Sequence, residues 1–310
     1  MPASAVRLQD ISKRFGAVQA NREVSLEVAA GTVHGLVGEN GAGKSTLMAI
    51  LYGYYQADAG AIEIDGRPVS ITNSHEAIAL GIGMVHQHFM LVDTLSALDN
   101  VMLGAEPGWL LKPAARQVRE KLVALMAETG LQVRLDLPAG ELPVGELQRL
   151  EILKALYRGA RILILDEPTA VLTPQETEQL FATLRRLRER GTTILLITHK
   201  LKEVMALCDA VTVMRAGAVV HSTAIADTSP EALAEAMVGR KVQLGRVADA
   251  MRAGGARLAA QDLTLLGEGG APLLDGVSIE LRAGEIVGVA GVSGNGQSEL
   301  LEVLAGMRAP

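Results

Sequence analysis

The stretch Gly38-Glu39-Asn40-Gly41-Ala42-Gly43-Lys44-Ser45-Thr46 constrains the fold of this chain more than any other. It satisfies G-x-x-x-x-G-K-[ST], in which backbone N–H groups of a glycine-rich loop surround a polyphosphate, the lysine reaches the outer phosphates and the hydroxyl takes Mg²⁺. The flanks fit. Val33-His34-Gly35-Leu36-Val37 reads as a short buried strand, and Leu47, Met48, Ile50 and Leu51 recur at helical spacing after Ser45. The loop therefore leads into a helix N-terminus, where unpaired N–H groups and the macrodipole both favour anions. An ordinary glycine-rich turn can match four fixed positions by chance, so the remaining motifs must decide.

Composition narrows the choices. A chain of 310 residues with 49% hydrophobic and 21% charged residues can bury a core and has room for two domains. Only 3% are aromatic, so the core is aliphatic, as buried parallel strands require. The net charge of −6 gives no diffuse basic surface, so nucleic acid is not an expected partner. A single cysteine, Cys208, excludes an internal disulfide framework and reads as a small buried hydrophobe in a reducing compartment. Residues 1–15 lack the apolar core of a leader, and no run approaches 18 apolar residues. The chain is expected neither to span a membrane nor to be exported, which leaves docking on one open.

Taken in order, Val6–Ile11 and Val24–Val28 alternate as half-buried antiparallel strands do. Phe15, before the Gly16 turn, is by itself an ordinary core residue, and beside a phosphate loop it becomes a candidate to stack on a base. Ala61–Gly66 reads as a strand ending in a turn, and Gly81–Leu91 as a strand running into polar residues. An all-helical insertion is expected over about residues 90–158, with Val118, Leu122, Val123, Leu125 and Met126 on one side of a helix from Arg116 to Thr129. His86 and His88 match zinc ligands in type only, since no further His or Cys follows at metal spacing.

Ile162-Leu163-Ile164-Leu165 then runs into Asp166 and Glu167, a central parallel strand carrying acids at its C-terminal end, where open α/β sheets place their ligands. Asp166 suits Mg²⁺ and Glu167 suits a base that orients water. Gln175–Arg190 is an amphipathic helix on Leu180, Phe181, Leu184 and Leu187. A second buried strand, Thr193–Thr198, delivers His199 to the same edge. A hairpin over Val211–Val220 and a helix over Pro230–Val238 follow, and residues 241–255, rich in Gly, Arg and Ala, read as a linker.

The motif then recurs. Val277–Leu281, Ala283-Gly284 and Gly291–Ser298 repeat Val24–Val28, Ala30-Gly31 and Gly38–Ser45 at a constant offset of 253 residues (284 − 31 and 291 − 38). A gapless match predicts a duplicated strand, loop and helix. The second copy reaches Pro310, the counterpart of Ala57, so the chain is expected to end inside its second domain. The expected domains are 1–240, the linker, and 256–310.

With the phosphate loop, Gln87, Ile162–Thr169 and His199 in this order, the chain resembles the nucleotide-binding subunits of ATP-binding cassette (ABC) transporters. The segment Gly81–Leu91 and the wording of residues 166–173 resemble the tandem-cassette importers of simple sugars and nucleosides, the nucleoside branch more closely. The fold implied is an α/β P-loop NTPase of the ABC type, with a mostly parallel core sheet, an antiparallel β subdomain and an α-helical insertion. The resemblance implies an ATPase using ATP and Mg²⁺: Phe15 stacks on adenine, Gly38 to Thr46 hold the phosphates, and Ser45, Gln87 and Asp166 arrange the metal. Glu167 is the implied catalytic base, with His199 contacting the γ-phosphate and Gln87 completing the catalytic set. The implied partners are integral membrane permease subunits, indirectly an extracytoplasmic solute-binding protein, and a second cassette in the same full-length chain. The implied location is peripheral, on the cytoplasmic face of the plasma (inner) membrane.

There are departures from that pattern. The family signature, which contacts the nucleotide of the opposite cassette, reads here Leu142-Pro143-Val144-Gly145-Glu146. Pro143 has neither hydroxyl nor backbone N–H, and Glu146 is expected to bring a carboxylate towards bound polyphosphate. Thr173 stands where the resemblance implies an acid, and Gln297 replaces the second lysine. The rival readings are a soluble tandem cassette acting on ribosome or DNA, which the acidic balance disfavours, and a nucleotide-binding regulatory subunit without turnover.

Overall fold

A computed structural model describes residues 3–105, 111–240, 254–267, 270–291 and 294–309. The chain divides into two compact units, Met1–Gln243 and Leu244–Pro310.

In the first unit, β1 (Ser4–Phe15) and β2 (Val18–Ala29) form an antiparallel hairpin around the Gly16 turn. β3 (Val33–Val37) leads through the phosphate loop into α1 (Lys44–Leu51). β4 (Ala59–Ile64) returns beside β1, and β5 (Arg67–Val69) completes a four-stranded sheet of order β2-β1-β4-β5. α2 (Ser74–Ala79) starts at Asn73, whose side chain accepts from the Glu76 amide, and precedes β6 (Ile82–Val85). α3 (Ala97–Met102), α4 (Leu111–Thr129) and α5 (Val144–Tyr157) make up the insertion. Then come β7 (Ile162–Asp166), α6 (Pro174–Glu189), β8 (Thr193–Ile197), α7 (Leu201–Leu207), the antiparallel pair β9 (Ala210–Arg215) and β10 (Ala218–Ala224), and α8 (Pro230–Val238).

The second sheet has the order β10-β9-β3-β8-β7-β6 and is parallel except for β10. Every residue of β3, β6, β7 and β8 is buried, which is why these segments read as unbroken aliphatic runs. Alternation along a strand distributes them between two cores. Leu163, Leu165, Ile194 and Leu196 pack with α4, α5 and α6, whereas Ile162, Ile164, Leu195 and Ile197 pack with α1 and the antiparallel sheet. Because β6, β7, β8 and β3 are parallel neighbours, the segments leaving their C-terminal ends emerge along one edge.

Two expectations need correction. The insertion is not all helical: residues 130–143 lie outside its α-helices, with a turn at 135–136 and a one-turn 3₁₀ segment at Ala139–Glu141, and Pro138 bridges Ser96. On α4, Val118, Leu122 and Met126 are buried at i, i+4 spacing, but Val123, a further 100° round from Leu122, is exposed. The strand expected to run into polar residues within Gly81–Leu91 does so after Val85, where its pairing with β7 ends at Leu165. Beyond it α5 takes over, because Glu151 accepts from the Met90 N–H at 2.9 Å and Lys154 donates to the Met90 carbonyl at 3.0 Å.

In the second unit, β11 (Ala256–Leu266) and β12 (Pro272–Arg282) form an antiparallel hairpin and α9 (Gln297–Leu304) follows. The repeat extends to single bonds. The Asp262 amide donates to Ser278 Oγ at 3.0 Å, as Asp10 does to Ser25 Oγ at 3.0 Å, and both aspartates take positive φ. The duplicated strand Val277–Leu281 lies within β12, but the strand that should follow it into the loop does not form. Residues 286–290, the counterpart of β3, form no strand, since β3 is held between β8 and β9 and neither has a counterpart among the described residues of this unit. The linker expected at 241–255 lies outside the described residues up to 253, as do Val292 and Ser293 of the second loop and the stretch 106–110 of the insertion.

Candidate active site

The loop between β3 and α1 holds its shape through two glycines that no other residue replaces. Gly43 takes φ 96° and Gly38 φ 157°; a Cβ on the first would run into the Ala20 carbonyl oxygen, and on the second into that of Met214. Below the loop, the wholly buried Asn21 donates to the Gly43 carbonyl at 3.0 Å. No side chain caps α1 at Gly43, so the N–H groups of its first turn are not taken up by a side chain of the protein. Lys44 is buried, and its Nζ donates to the carbonyls of Gly38 at 2.8 Å and Glu39 at 3.0 Å. Burial lowers its pKa, opposed by the Glu167 and Asp166 carboxylates. The ammonium thus lies between backbone carbonyls and two acids, at the N-terminal end of α1.

A cleft of about 560 Å³ opens over this loop. Phe15, Asn40 to Thr46, Gln87, Asp166, Glu167 and His199 line it, so residues distant in sequence meet in one place. Asp166 ends β7. Burial raises its pKa, the Ser45 hydroxyl bonded to it pulls the other way, and the Glu167 charge adds to the rise. Glu167 takes φ 48°, a backbone conformation that a residue with a side chain adopts only under constraint. Its amide donates to the Ile197 carbonyl at 2.9 Å, its Oε1 meets His199 Nδ1 at 2.8 Å, and its Oε2 is buried with no protein partner. A buried carboxylate oxygen with no protein partner has lone pairs free to accept a hydrogen bond from a water held in the cleft.

Phe15 is 40% exposed, with its ring held edge-on by Tyr55 at 5.0 Å and under Lys13 Nζ at 5.4 Å. Lys13 is in turn paired with Asp58 at 2.7 Å. The ring is therefore fixed in place while keeping open surface at the mouth of the cleft. Ser45, Asp166 and Gln87 offer a hydroxyl, a carboxylate and an amide oxygen, the hard donors that magnesium takes alongside substrate phosphates. Among the described residues no three His, Cys, Asp or Glu gather as a metal cluster, so a cation here would rely on that mixed set. His86 stacks on Tyr54 at 5.5 Å, and His88 is exposed.

Pro143 to Glu146 do not line the cleft. They form the start of α5, with Pro143 at the N-cap position. Glu146, expected to face the phosphates of an opposite cassette, pairs within this chain with Arg134, with Arg134 Nη2 at 2.9 Å and the Arg134 amide donating at 3.1 Å. Thr173 is the N-cap of α6 and forms a capping box with Glu176. Sequence reasoning overlooked Val18, Gln19 and Ala20, which line the cleft, and Asn21 beneath it. Their role depends on a partner more than twenty residues away, which no local pattern reveals.

Residues 21–170 match the ABC transporter family. The chain is 43% identical over 304 residues to the nucleoside import ATP-binding protein NupA of Lactococcus lactis subsp. cremoris, covering 98% of this chain and 60% of that protein. It is 45% identical to the guanosine import ATP-binding protein NupO of Bacillus subtilis (98% and 59%), and 43% identical to the ribose import ATP-binding protein RbsA 2 of Burkholderia ambifaria (98% and 60%). The chain thus spans about 60% of the length of these relatives. A solved ATP-binding cassette of an ABC transporter in its ADP conformation superposes with TM-score 0.66 at 26% identity, over 76% of this chain and 99% of that one. A nucleotide-free cassette gives 0.64 at 27%, over 71% and 91%. Family match, relatives and α/β P-loop fold agree that residues 21–170 carry the cassette of the ABC transporter family.

Proposed function

We propose that the chain is the ATP-binding and hydrolysing part of an importer for a nucleoside or simple sugar, acting with integral membrane permease subunits. The relatives named for nucleoside, guanosine and ribose import support the transport reading. The observation that carries the chemistry is the unpartnered Glu167 Oε2, buried beside Lys44, Asp166 and His199 over the phosphate loop. In this reading adenine stacks on Phe15, and the loop amides with Lys44 hold the phosphates. Ser45, Asp166 and Gln87 would hold Mg²⁺, which neutralises charge developing on the phosphates. Glu167 orients a water and receives its proton, and His199, fixed through Nδ1 by the Glu167 carboxylate, presents its other nitrogen to the terminal phosphate. No helix among the described residues is long and apolar enough to cross a membrane, so this reading makes the chain a peripheral subunit on the cytoplasmic face, with the solute-binding protein reached only through the permease.

The test is uptake. In the full-length protein assembled with its permease, labelled nucleosides and pentoses are offered in turn, and Glu167→Gln is compared with the parent. Removing a general base lowers turnover by about 10²–10⁴-fold, and uptake falls with it while ATP still binds. Undiminished uptake by the Glu167→Gln protein contradicts the proposal.

A further inference from the structure

Beneath the Glu167–His199 pair lies a second carboxylate that this chemistry does not use. Glu203, in the first turn of α7, is 8% exposed. Its Oε1 accepts from Thr169 Oγ1 at 2.6 Å, and its Oε2 accepts from Thr198 Oγ1 at 3.3 Å. Lys200 Nζ stands 3.3 Å from the carboxylate and also donates to the Thr169 carbonyl at 3.0 Å and to Thr169 Oγ1 at 3.1 Å. Both threonines are buried, Thr169 two residues after Glu167 and Thr198 one before His199. A single buried carboxylate therefore joins the two segments whose tips meet at 2.8 Å in the cleft.

Glu167 holds a left-handed backbone conformation, which persists only where its surroundings over-determine it. From one side the Glu167 amide is tied to Ile197, and from the other the Glu203 network fixes the residues just beyond. We propose that Glu203 is a positioning residue for hydrolysis, holding the Glu167 and His199 segments in the register that aims their side chains at one water and one phosphate. This rests on the reading of Glu167 and His199 given above. A carboxylate suits the role because it accepts from both threonines at once and attracts Lys200, whereas a neutral acceptor keeps the hydrogen bonds but loses the ion pair. A purely structural Glu203 would instead stabilise α7 and affect folding, ATP affinity and turnover together.

The experiment uses the full-length protein with its permease, and reads ATP affinity by calorimetry and kcat separately. Glu203→Ala is expected to lower kcat by up to about 10²-fold, the cost of a misplacement of roughly 1 Å, with ATP affinity within about two-fold of the parent. Glu203→Gln should recover most of that loss. Combined with Glu167→Gln, Glu203→Ala should add almost nothing, because a base already removed cannot be misplaced. If Glu203→Ala does not fold, Thr169→Val breaks the same link from the other side and should lower kcat with ATP binding kept. A kcat unchanged in Glu203→Ala and Thr169→Val, a loss that multiplies with that of Glu167→Gln, or an equal fall in affinity and kcat overturns the proposal. Full turnover in Glu167→Gln alone would instead bring down the underlying assignment of the base.

Discussion

His34 illustrates how a residue on the central strand is fixed by what surrounds it. It is buried in β3, bonded through Nε2 to Thr212 Oγ1 at 2.8 Å, and burial lowers its pKa from 6.5 to about 4. The unfolded chain therefore takes up a proton between pH 6.5 and 4 that the native state refuses, so stability falls as pH drops through that window, by at most about 3 kcal/mol. His34→Gln should flatten this slope in urea unfolding between pH 7 and 4.5, and an unchanged slope would assign the acid sensitivity to other groups. At this scale the sequence was most legible where chemistry dictates residue type. Lys44, Asp166, Glu167 and His199 declare themselves by order and neighbours, and Cys208, a buried thiol with its pKa pushed up to about 12, behaves as the inert hydrophobe expected. Asn21 and Glu203 were silent because their partners are set by tertiary packing.

Among the elements, α6 explains one departure from the family pattern. Thr173 occupies the N-cap, its hydroxyl accepting from the Glu176 amide at 3.3 Å while the Glu176 carboxylate accepts from the Thr173 amide at 2.9 Å. The position needs a capping oxygen, and threonine supplies it without a charge. Thr173→Ala should cost about 1 kcal/mol of stability and Thr173→Asp much less. Urea denaturation midpoints compare them, and equal losses would show that the cap is not what the position requires. The central strands could be read directly as unbroken aliphatic runs, and α6 from its helical period. The α2 helix was missed although Asn73 and Glu76 carry its capping signal, since six residues are too few for a periodic stripe. The irregular stretch at 130–143 was hidden because the residue that Pro138 bridges, Ser96, lies far off in sequence.

For the whole molecule, the constant offset of 253 announced a duplication that reappears in the Asp262–Ser278 bond and in the glycine before α9. What sequence identity could not convey is that a strand needs neighbours: residues 286–290 copy β3 in sequence but not in structure. The two loops differ also in chemistry, as Gln297 stands where Lys44 provides a cation. In the full-length protein Glu167→Gln should stop nearly all turnover, whereas Gln297→Ala should change it little, and equal damage from both would mean the loops are equivalent. The central claim, that the first loop binds Mg-ATP through Lys44, is tested most directly by calorimetric titration of Mg-ATP into the protein and its Lys44→Ala variant. Charge-assisted contacts contribute roughly 1.5–3 kcal/mol each, so the variant should bind at least about ten-fold more weakly. Equal affinity in the two proteins would contradict the account.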